Sequence, residues 1–218
     1  MAVPTIAASG AGAVSFSTDL NVPYPAGITA GDLLFVHTVI SSSVGMNIPA
    51  GWTEVRNTGA TDPRAQVFRK IADGTETGNL TISTASSNTV RTGRMHRSDD
   101  ADTIEAVVNN TGAGRTVSHP DITTLTADSL VCMFTGIRND EAALSFTGET
   151  GGDLTLLNDF LTTTGSDQAN SCQTADMASP GTISGGTWIK PLSDSWTHIG
   201  FAIYHAQVPL SSLGSVMF

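Results

Sequence analysis

Five histidines are the side chains best suited to bind a metal or move a proton in this chain of 218 residues. They are His37, in an apolar block, His96, in a charged segment, His119, before a proline, and His198 and His205, near the last strand signal. Zinc needs three or four converging ligands. If His37 and His198 came from neighbouring strands, they would supply two of them, with no third at hand. A hydrogen-bonded core histidine is therefore the preferred interpretation.

Two other segments have the residue types of a ligand site. Asp99, Asp100 and Asp102 offer carboxylate oxygens to calcium, but they lack the glycine and terminal glutamate of a calcium loop, so a solvated acidic loop is expected. Gly112-Ala113-Gly114-Arg115 resembles a phosphate cradle, but no strand-to-helix transition follows it, so a surface hairpin is expected.

Catalytic motifs give no support for an enzyme. The sequence has no nucleophile elbow, no helical histidine pair with a glutamate and no Walker loop. A polysaccharide-degrading sandwich would need two carboxylates facing one cleft, and no spacing here indicates such a pair. The sequence thus predicts a protein without enzymatic activity, without a cofactor and without a metal.

Three tryptophans, Trp52, Trp188 and Trp196, raise the possibility of a platform that stacks on sugar rings. Trp52 follows a Pro-Ala-Gly turn and Trp196 precedes the last strand, so both positions suit the edge of a core. Aromatic residues make up only 6% of the chain. Packing is therefore preferred over a glycan cleft.

The elements that position these residues are strands. Leu33 to Ile40 is an uncharged, branched block bounded by turn residues, which is typical of a strand buried on both faces. A variant returns in Leu130 to Ile137. The preceding turns, from Thr29 and from Thr126, are separated by the same 97 residues. This repeat predicts two related core strands in two halves of one sheet-built body.

Composition favours one all-β domain. Charged residues are 14% of the chain, and 22 glycines and 9 prolines supply many turns. About eight to twelve strands are expected, with Leu144 and Phe146 in one of them, and Asp100 to Val108 as the best short helix candidate. Leu154 to Leu161 fits a strand or a short helix equally well. A single jelly-roll-like β-sandwich with extended ends is predicted.

The charge of −10 argues against nucleic acid as a partner, because phosphate binding needs clustered lysine and arginine. The nearest basic cluster, Arg91, Arg94 and Arg97 with His96, is followed at once by the aspartates, which indicates a local charge balance. No apolar stretch approaches the length of a membrane span. Neither nucleic acid nor a membrane is expected as a partner.

Two cysteines, Cys132 and Cys172, do not form a disulfide framework, and Cys132 lies in an apolar strand where a thiol acts as a small hydrophobe. The amino terminus lacks the basic flank and apolar block of a secretory signal. Synthesis in a reducing cytoplasm is expected.

The ends of the chain differ from its body. Residues 1–13 are small and uncharged and predict an arm, residues 14–206 predict the sandwich, and residues 207–218 form an uncharged tail. The tail contains Leu210, Leu213, Val216 and Phe218, whose exposure would lose roughly 1.5 to 3 kcal/mol for each side chain that could be buried. Docking of the tail on its own sandwich or on a neighbouring subunit is therefore expected.

Three segments in this order resemble a group of tailed-bacteriophage virion proteins. They are Ile28-Thr29-Ala30-Gly31-Asp32-Leu33-Leu34, Ile48-Pro49-Ala50-Gly51-Trp52-Thr53 and Val67-Phe68-Arg69-Lys70-Ile71-Ala72. The resemblance is densest over residues 28–83 and extends loosely to about residue 205. It implies a jelly-roll-like β-sandwich that serves as a capsid decoration (cement) protein or as a tail or fibre component.

Between these roles, a compact acidic chain without fibre repeats favours capsid decoration. The resemblance then implies a homotrimer on the virion surface that binds the major capsid protein after synthesis in the bacterial host. The tail residues Leu210, Leu213, Val216 and Phe218 and the basic residues Arg91, Arg94 and Arg97 are the candidate contacts. The alternative is a tail or receptor-binding protein that recognises host glycan through loops near Trp188 and Tyr204.

Overall fold

A computed structural model describes residues 2–85, 89–138, 147–162 and 168–206. These residues form fifteen strands and no helix. The strands are β1 (Ala8–Ser9), β2 (Ala13–Ser15), β3 (Asp19–Pro23), β4 (Leu33–Ile40), β5 (Thr53–Asn57), β6 (Arg64–Ile71), β7 (Asn79–Ser83), β8 (Arg91–Ser98), β9 (Thr103–Ser118), β10 (Ile122–Thr124), β11 (Ser129–Ile137), β12 (Thr155–Thr162), β13 (Gln168–Met177), β14 (Gly181–Ile183) and β15 (Thr187–Tyr204).

Two large sheets pack face to face, which confirms the predicted all-β sandwich. The first sheet has the order β1-β8-β4-β6-β5, with β2 also paired to β8, and the second has the order β12-β13-β11-β15-β9. The pair β3-β7 lies on the outer face of the first sheet, and the pair β10-β14 lies on the outer face of the second. The described chain therefore has four layers. A jelly-roll connectivity stays a prediction.

The two halves of the chain repeat one strand order. The run β8-β4-β6-β5 in the first sheet corresponds to β15-β11-β13-β12 in the second, and the pair β3-β7 corresponds to β10-β14. The matched central strands β4 and β11 are buried along their whole length. The prediction of two related core strands in two halves is thus confirmed, and it extends to the surrounding strands.

The turn before each central strand shows how the repeat tolerates sequence change. Gly31 has a φ of 100°, and Asp128, at the matched position in the second half, has a φ of 55°. Positive φ strains most residues but is accessible to glycine and, at small cost, to aspartate. Both residues can therefore occupy the same left-handed turn position.

The interface between the two large sheets is an aromatic core. Phe35 of β4 makes edge contacts with Phe134 of β11 and Phe201 of β15, with ring centroids 6.1 and 5.4 Å apart. Phe134 and Phe201 stack on each other at 5.5 Å. All three are fully buried. Since one sheet contributes Phe35 and the other contributes its two partners, this cluster holds the halves together.

The outer layers cover separate cores. Trp52 is buried among the apolar residues between the first sheet and β3-β7. Trp196 is buried with Val117 and Ile137 on the second sheet. The prediction that Trp52 and Trp196 are packing residues is confirmed by this burial.

The amino-terminal segment lies along the sandwich. Ala8 and Ser9 form β1 against β8, and Val3 and Ile6 pack against the core between the large sheets. Gly12 passes so close to Phe160 of β12 that a Cβ atom would overlap the ring. The predicted boundary of the arm at residue 13 therefore falls inside β2, and the segment closes the edge of the sandwich between β8 and β12.

Three expectations about local structure need correction. The helix expected at Asp100 to Val108 is wrong, because Thr103–Ser118 is strand β9. The hairpin expected at Gly112 to Arg115 is wrong as well, because these residues lie within β9, where Gly112, Ala113 and Gly114 pair with β15. The ambiguous segment Leu154 to Leu161 contains strand β12. The strands outnumber the eight to twelve expected, and Leu144 and Phe146 lie outside the described residues.

Candidate functional site

The two histidines considered as zinc ligands lie in different sheets. His37 lies on β4 in the first sheet and His198 on β15 in the second. Within the ranges that the structure describes, no three His, Cys, Asp or Glu side chains come together to hold a metal ion. The Nδ1 atom of His198 lies 2.9 Å from the hydroxyl of Thr135. Both side chains are buried in the core; His198 is hydrogen-bonded as expected, whereas the Nε2 atom of His37 has no hydrogen-bond partner.

Three of the histidines are buried, and burial is the main cause of a lowered pKa in each. Burial lowers the pKa of His37 to about 3. Burial together with the nearby His37 and Arg94 lowers the pKa of His96 to about 3. The pKa of His198 also falls to about 3, through burial and the neighbouring His119 and His37. Because burial disfavours the charged imidazolium, these side chains are neutral at pH 7.

Both cysteines are free and buried. They face the core between the two large sheets, together with Phe134 and Ile199. Burial raises the pKa of the Cys132 thiol and of the Cys172 thiol. Neither is activated as a thiolate, which agrees with the expected role of Cys132 as a small core residue.

Arg91, Arg94 and Arg97 lie on β8, Arg91 buried and the other two half-buried, and each contacts another part of this chain. Arg91 is fully buried, and its guanidinium donates a hydrogen bond to the Thr89 carbonyl at 2.9 Å. Arg94 donates to the Asp159 carbonyl at 3.2 Å and lies 6.0 Å from the Phe160 ring centroid. The candidate contacts Arg91 and Arg94 are therefore corrected to internal contacts of this chain.

Arg97 is likewise engaged within the chain. Its Nη1 atom donates to the Asp32 carboxylate at 3.1 Å and to the Gly27 carbonyl, and its Nη2 atom lies 3.6 Å from Asp99. Asp32 also accepts hydrogen bonds from the backbone N–H and the hydroxyl of Thr29. Burial alone would raise the pKa of Asp32, but the hydrogen bonds from Thr29 and Arg97 hold it below its ordinary value. The expected local charge balance is confirmed for Arg97 by these ion pairs.

We expect Asp32→Ala to destabilise the protein by about 2–4 kcal/mol, because it leaves Arg97 and the Thr29 N–H without their buried acceptor. Asp99→Ala removes the other carboxylate near Arg97. Because the Asp99 side chain is 49% exposed, its loss should lower the free energy of unfolding by at most about 1 kcal/mol. The midpoints of urea unfolding measure both values. Equal costs for the two variants would contradict the structural role of Asp32.

The aspartates considered for calcium hold other parts of the chain. Asp100 accepts a hydrogen bond from the Thr5 N–H at 3.0 Å and one from the Ser98 hydroxyl at 2.9 Å. Asp102 accepts one from the Ala206 N–H at 3.0 Å and lies 3.4 Å from His205. These carboxylates fasten the first and last described segments to the sandwich.

The two residues suggested for a glycan site do not lie together. Trp188 is half-buried at the start of β15 and packs near Trp196. Tyr204 ends the same strand, where it pairs with Thr103. The full length of β15 separates them. The tail candidates Leu210, Leu213, Val216 and Phe218 lie outside the described residues.

The strands of both sheets end at the same two poles. We call the end of the sandwich where β4 and β11 end the loop pole. Asp62 and Arg138 form a salt bridge of 2.9 Å there. The other end, the turn pole, holds the turns before β4 and β11 and the end of β15. Its acidic residues outnumber its basic ones; they include Asp32, Asp73, Glu76, Asp99, Asp100, Asp102, Glu105 and Asp128, against Arg69, Lys70 and Arg97.

At the loop pole, β9 and β15 form a long ladder with an exposed bulge. Ile189 pairs with Thr116, and the next pair is Asp194 with Gly114, so residues 190–193 bulge opposite a single residue. Lys190 is fully buried and donates a hydrogen bond to the Asp194 carbonyl at 2.9 Å. Ile189 and Leu192 are 69% and 60% exposed. We call this pair of apolar side chains the tip.

Sequence reasoning missed the tip. The exposed Arg115 flanks it, since its Nε atom donates to the Lys190 carbonyl at 3.0 Å. The corresponding strands of the first half are much shorter, since β8 spans only Arg91–Ser98. The tip is therefore a feature that the second half adds to the repeated architecture.

A cleft of about 370 Å³ opens at the turn pole. It is lined by Gly51, Thr53, Arg69, Lys70, Ile71, Asp102 and Thr103. Ile71 is 45% exposed and forms an apolar part of the lining. Lys70 is held by Glu76 at 2.7 Å and by Asp73 at 3.1 Å. The cleft thus combines apolar surface with charged groups whose positions are fixed.

The chain matches no protein-family model, no curated protein and no solved structure. In the part of the chain that the structure describes, no helix has the length and apolar character of a membrane span. The functional argument therefore depends on the surface of the sandwich itself.

Proposed function

We propose that this protein is a structural subunit of a bacteriophage virion that decorates and stabilises the head shell. The observation that carries the proposal is the tip, two exposed apolar side chains on a bulge at the end of the long β9-β15 ladder. Exposed apolar side chains that lie together and are flanked by polar groups are typical of protein contact surfaces. The resemblance of residues 28–83 to virion proteins supports the assignment to a shell.

The proposed mechanism needs no reaction. A subunit that binds the assembled shell, and not its dissociated parts, stabilises the shell by its binding free energy, and many copies multiply the effect. A body of two packed sheets suits this role because its contact surface changes little on binding. The major capsid protein is the proposed partner on the shell.

The test is to locate the protein on intact particles by antibody labelling and to compare shells with and without it. We expect labelled heads, and a lower disruption temperature for heads that lack the protein. Addition of purified protein should restore the temperature, whereas Ile189→Asp/Leu192→Asp should restore it poorly. Leu125→Asp is the matched control, because Leu125 is 78% exposed but lies at the turn pole. Label confined to tails, or heads of equal stability, would reject the role.

A tail or receptor-binding role is the second candidate. It is favoured by the ends of β4, β7, β11 and β12, which all lie at the loop pole. Residues at one end of a sandwich commonly form recognition surfaces. Binding to host polysaccharide on a glycan array, together with label on the tail, would favour this role over decoration.

A further inference from the structure

The two poles of the molecule differ in shape and charge. The loop pole presents the tip, which is convex and apolar and is flanked by the exposed Arg115. The turn pole presents a concave cleft with Ile71 in its wall and Asp102 in its lining. A bulge with exposed apolar side chains, flanked by Arg115 and Asp194, faces one way, and a cleft lined by Ile71 together with charged residues, at the acidic pole, faces the other.

We infer that the tip of one copy binds in the cleft of a second copy, so that the protein associates head to tail. The cleft, at about 370 Å³, lies within the range of roughly 300–1,000 Å³ typical of binding pockets. Ile189 and Leu192 contact Ile71 and the aliphatic parts of Arg69 and Lys70, whose charged ends stay in solvent. Arg115 faces the carboxylates of the turn pole.

Charge complementarity selects this arrangement. The chain has a net charge of −10, so two copies repel each other in most orientations. A pairing of two turn poles would bring acidic residues together. Only the head-to-tail orientation brings Arg115 towards the acidic pole and covers apolar side chains on both partners.

The symmetry of the contact has a consequence for assembly. The tip and the cleft are different surfaces, so the contact is heterologous, and each bound copy leaves one surface open. Such a contact closes into a ring or continues as an open chain. Because the tip and the cleft lie at opposite poles, an open chain is expected here, not a small ring such as the trimer that the resemblance implies. The same tip cannot bind a second copy and the shell at once, so the two contacts compete for it; the inference concerns the protein in solution and does not require the proposed shell.

The test uses two variants, each with one damaged surface. Ile189→Asp/Leu192→Asp damages the tip and keeps the cleft, whereas Ile71→Asp damages the cleft and keeps the tip. In analytical ultracentrifugation, we expect the wild-type protein to assemble as its concentration rises, and each variant alone to stay monomeric. A mixture of the two variants should form a one-to-one dimer and nothing larger, because one intact tip meets one intact cleft.

Three results would overturn the inference. They are a wild-type protein that stays monomeric at all concentrations, a variant that assembles as the wild type does, and a mixture that forms no dimer. Dimer formation by the mixture also shows that both variants are folded; if the dimer is absent, circular dichroism spectra matching the wild type show that the failure is one of binding. Leu125→Asp is the control, with wild-type assembly expected. Since no shell is present, the proposed function can fail while this contact holds.

Discussion

Lowering the pH from 7 to 5 is expected to destabilise the protein by about 6 kcal/mol, because three histidines are buried in the neutral form. The pKa of each of His37, His96 and His198 is about 3 in the folded chain, against 6.5 for an ordinary histidine. The unfolded chain therefore binds protons between pH 6.5 and 3 that the folded chain does not. Each histidine costs roughly 2 kcal/mol of stability at pH 5.

The sign and the size of this effect are both testable. The stability from neutral histidines is fully present above pH 6.5 and is lost as the pH falls towards 3. A total near 6 kcal/mol is comparable with the whole stability of a typical domain, about 5–15 kcal/mol. Acid unfolding is thus expected at a pH where most carboxylates are still ionised. The free energy of unfolding in urea, measured at steps between pH 7 and pH 4.5, checks the prediction.

His37→Leu separates this cause from general acid effects. The substitution is close in volume and removes a ring whose Nε2 atom has no hydrogen-bond partner. We expect its stability to fall by about one third less than that of the wild type between pH 7 and pH 5. Leu125→Ala is the control, since Leu125 is 78% exposed and carries no titratable group, and it should follow the wild-type curve. If the wild-type protein were equally stable at pH 7 and pH 5, the lowered pKa values of the buried histidines would be disproved.

Replacing the central aromatic side chain is expected to have a comparably large effect. Phe134→Ala should destabilise the protein by about 3–5 kcal/mol, because the truncation leaves a cavity at the interface of the two large sheets. Phe134 contacts Phe35 of the opposite sheet and Phe201 of its own, and its ring lies 4.8 Å from that of His37. The loss therefore weakens the association of the two halves as well as the second sheet.

The measurement is equilibrium unfolding in urea at pH 7. Phe134→Leu keeps most of the apolar volume and should cost clearly less than Phe134→Ala. Leu125→Ala is the surface control, and its cost should stay within about 0.5 kcal/mol, because Leu125 is largely exposed. If Phe134→Ala cost no more than Leu125→Ala, the packing of the two sheets through this ring would be disproved.

The strands that are buried on both faces could be predicted from the sequence, but β9 could not. Leu33–Ile40 is uncharged and mostly branched, so its burial on both faces can be predicted without knowledge of the neighbouring strands. In β9, Ala106 has a φ of 55°, and the register shifts beside it. As a result Ile104 and Val107, three residues apart, face the same core. That spacing imitates a helix, which explains the wrong prediction there.

The candidate site was less predictable, because which of its side chains are exposed depends on the pairing of strands that are distant in the sequence. Arg91 belongs to a basic run that reads as surface, yet the sheet buries its side chain completely. The tip arises because the register of β15 shifts against β9 and because Lys190 turns inward while Ile189 and Leu192 stay out. Neither event follows from local residue types, since both depend on a strand about 75 positions away, as in the contact of Arg115 with Lys190.

The same strand order occurs in both halves, but the second half has the longer strands. Phe35 in the first half and Phe134 in the second meet in the core between the two sheets, so a substitution of either residue alters the packing of both halves. The outer ends of the strands lie away from this core. Strands β9 and β15 can therefore be longer than the strands of the first half without altering the packing that joins the halves.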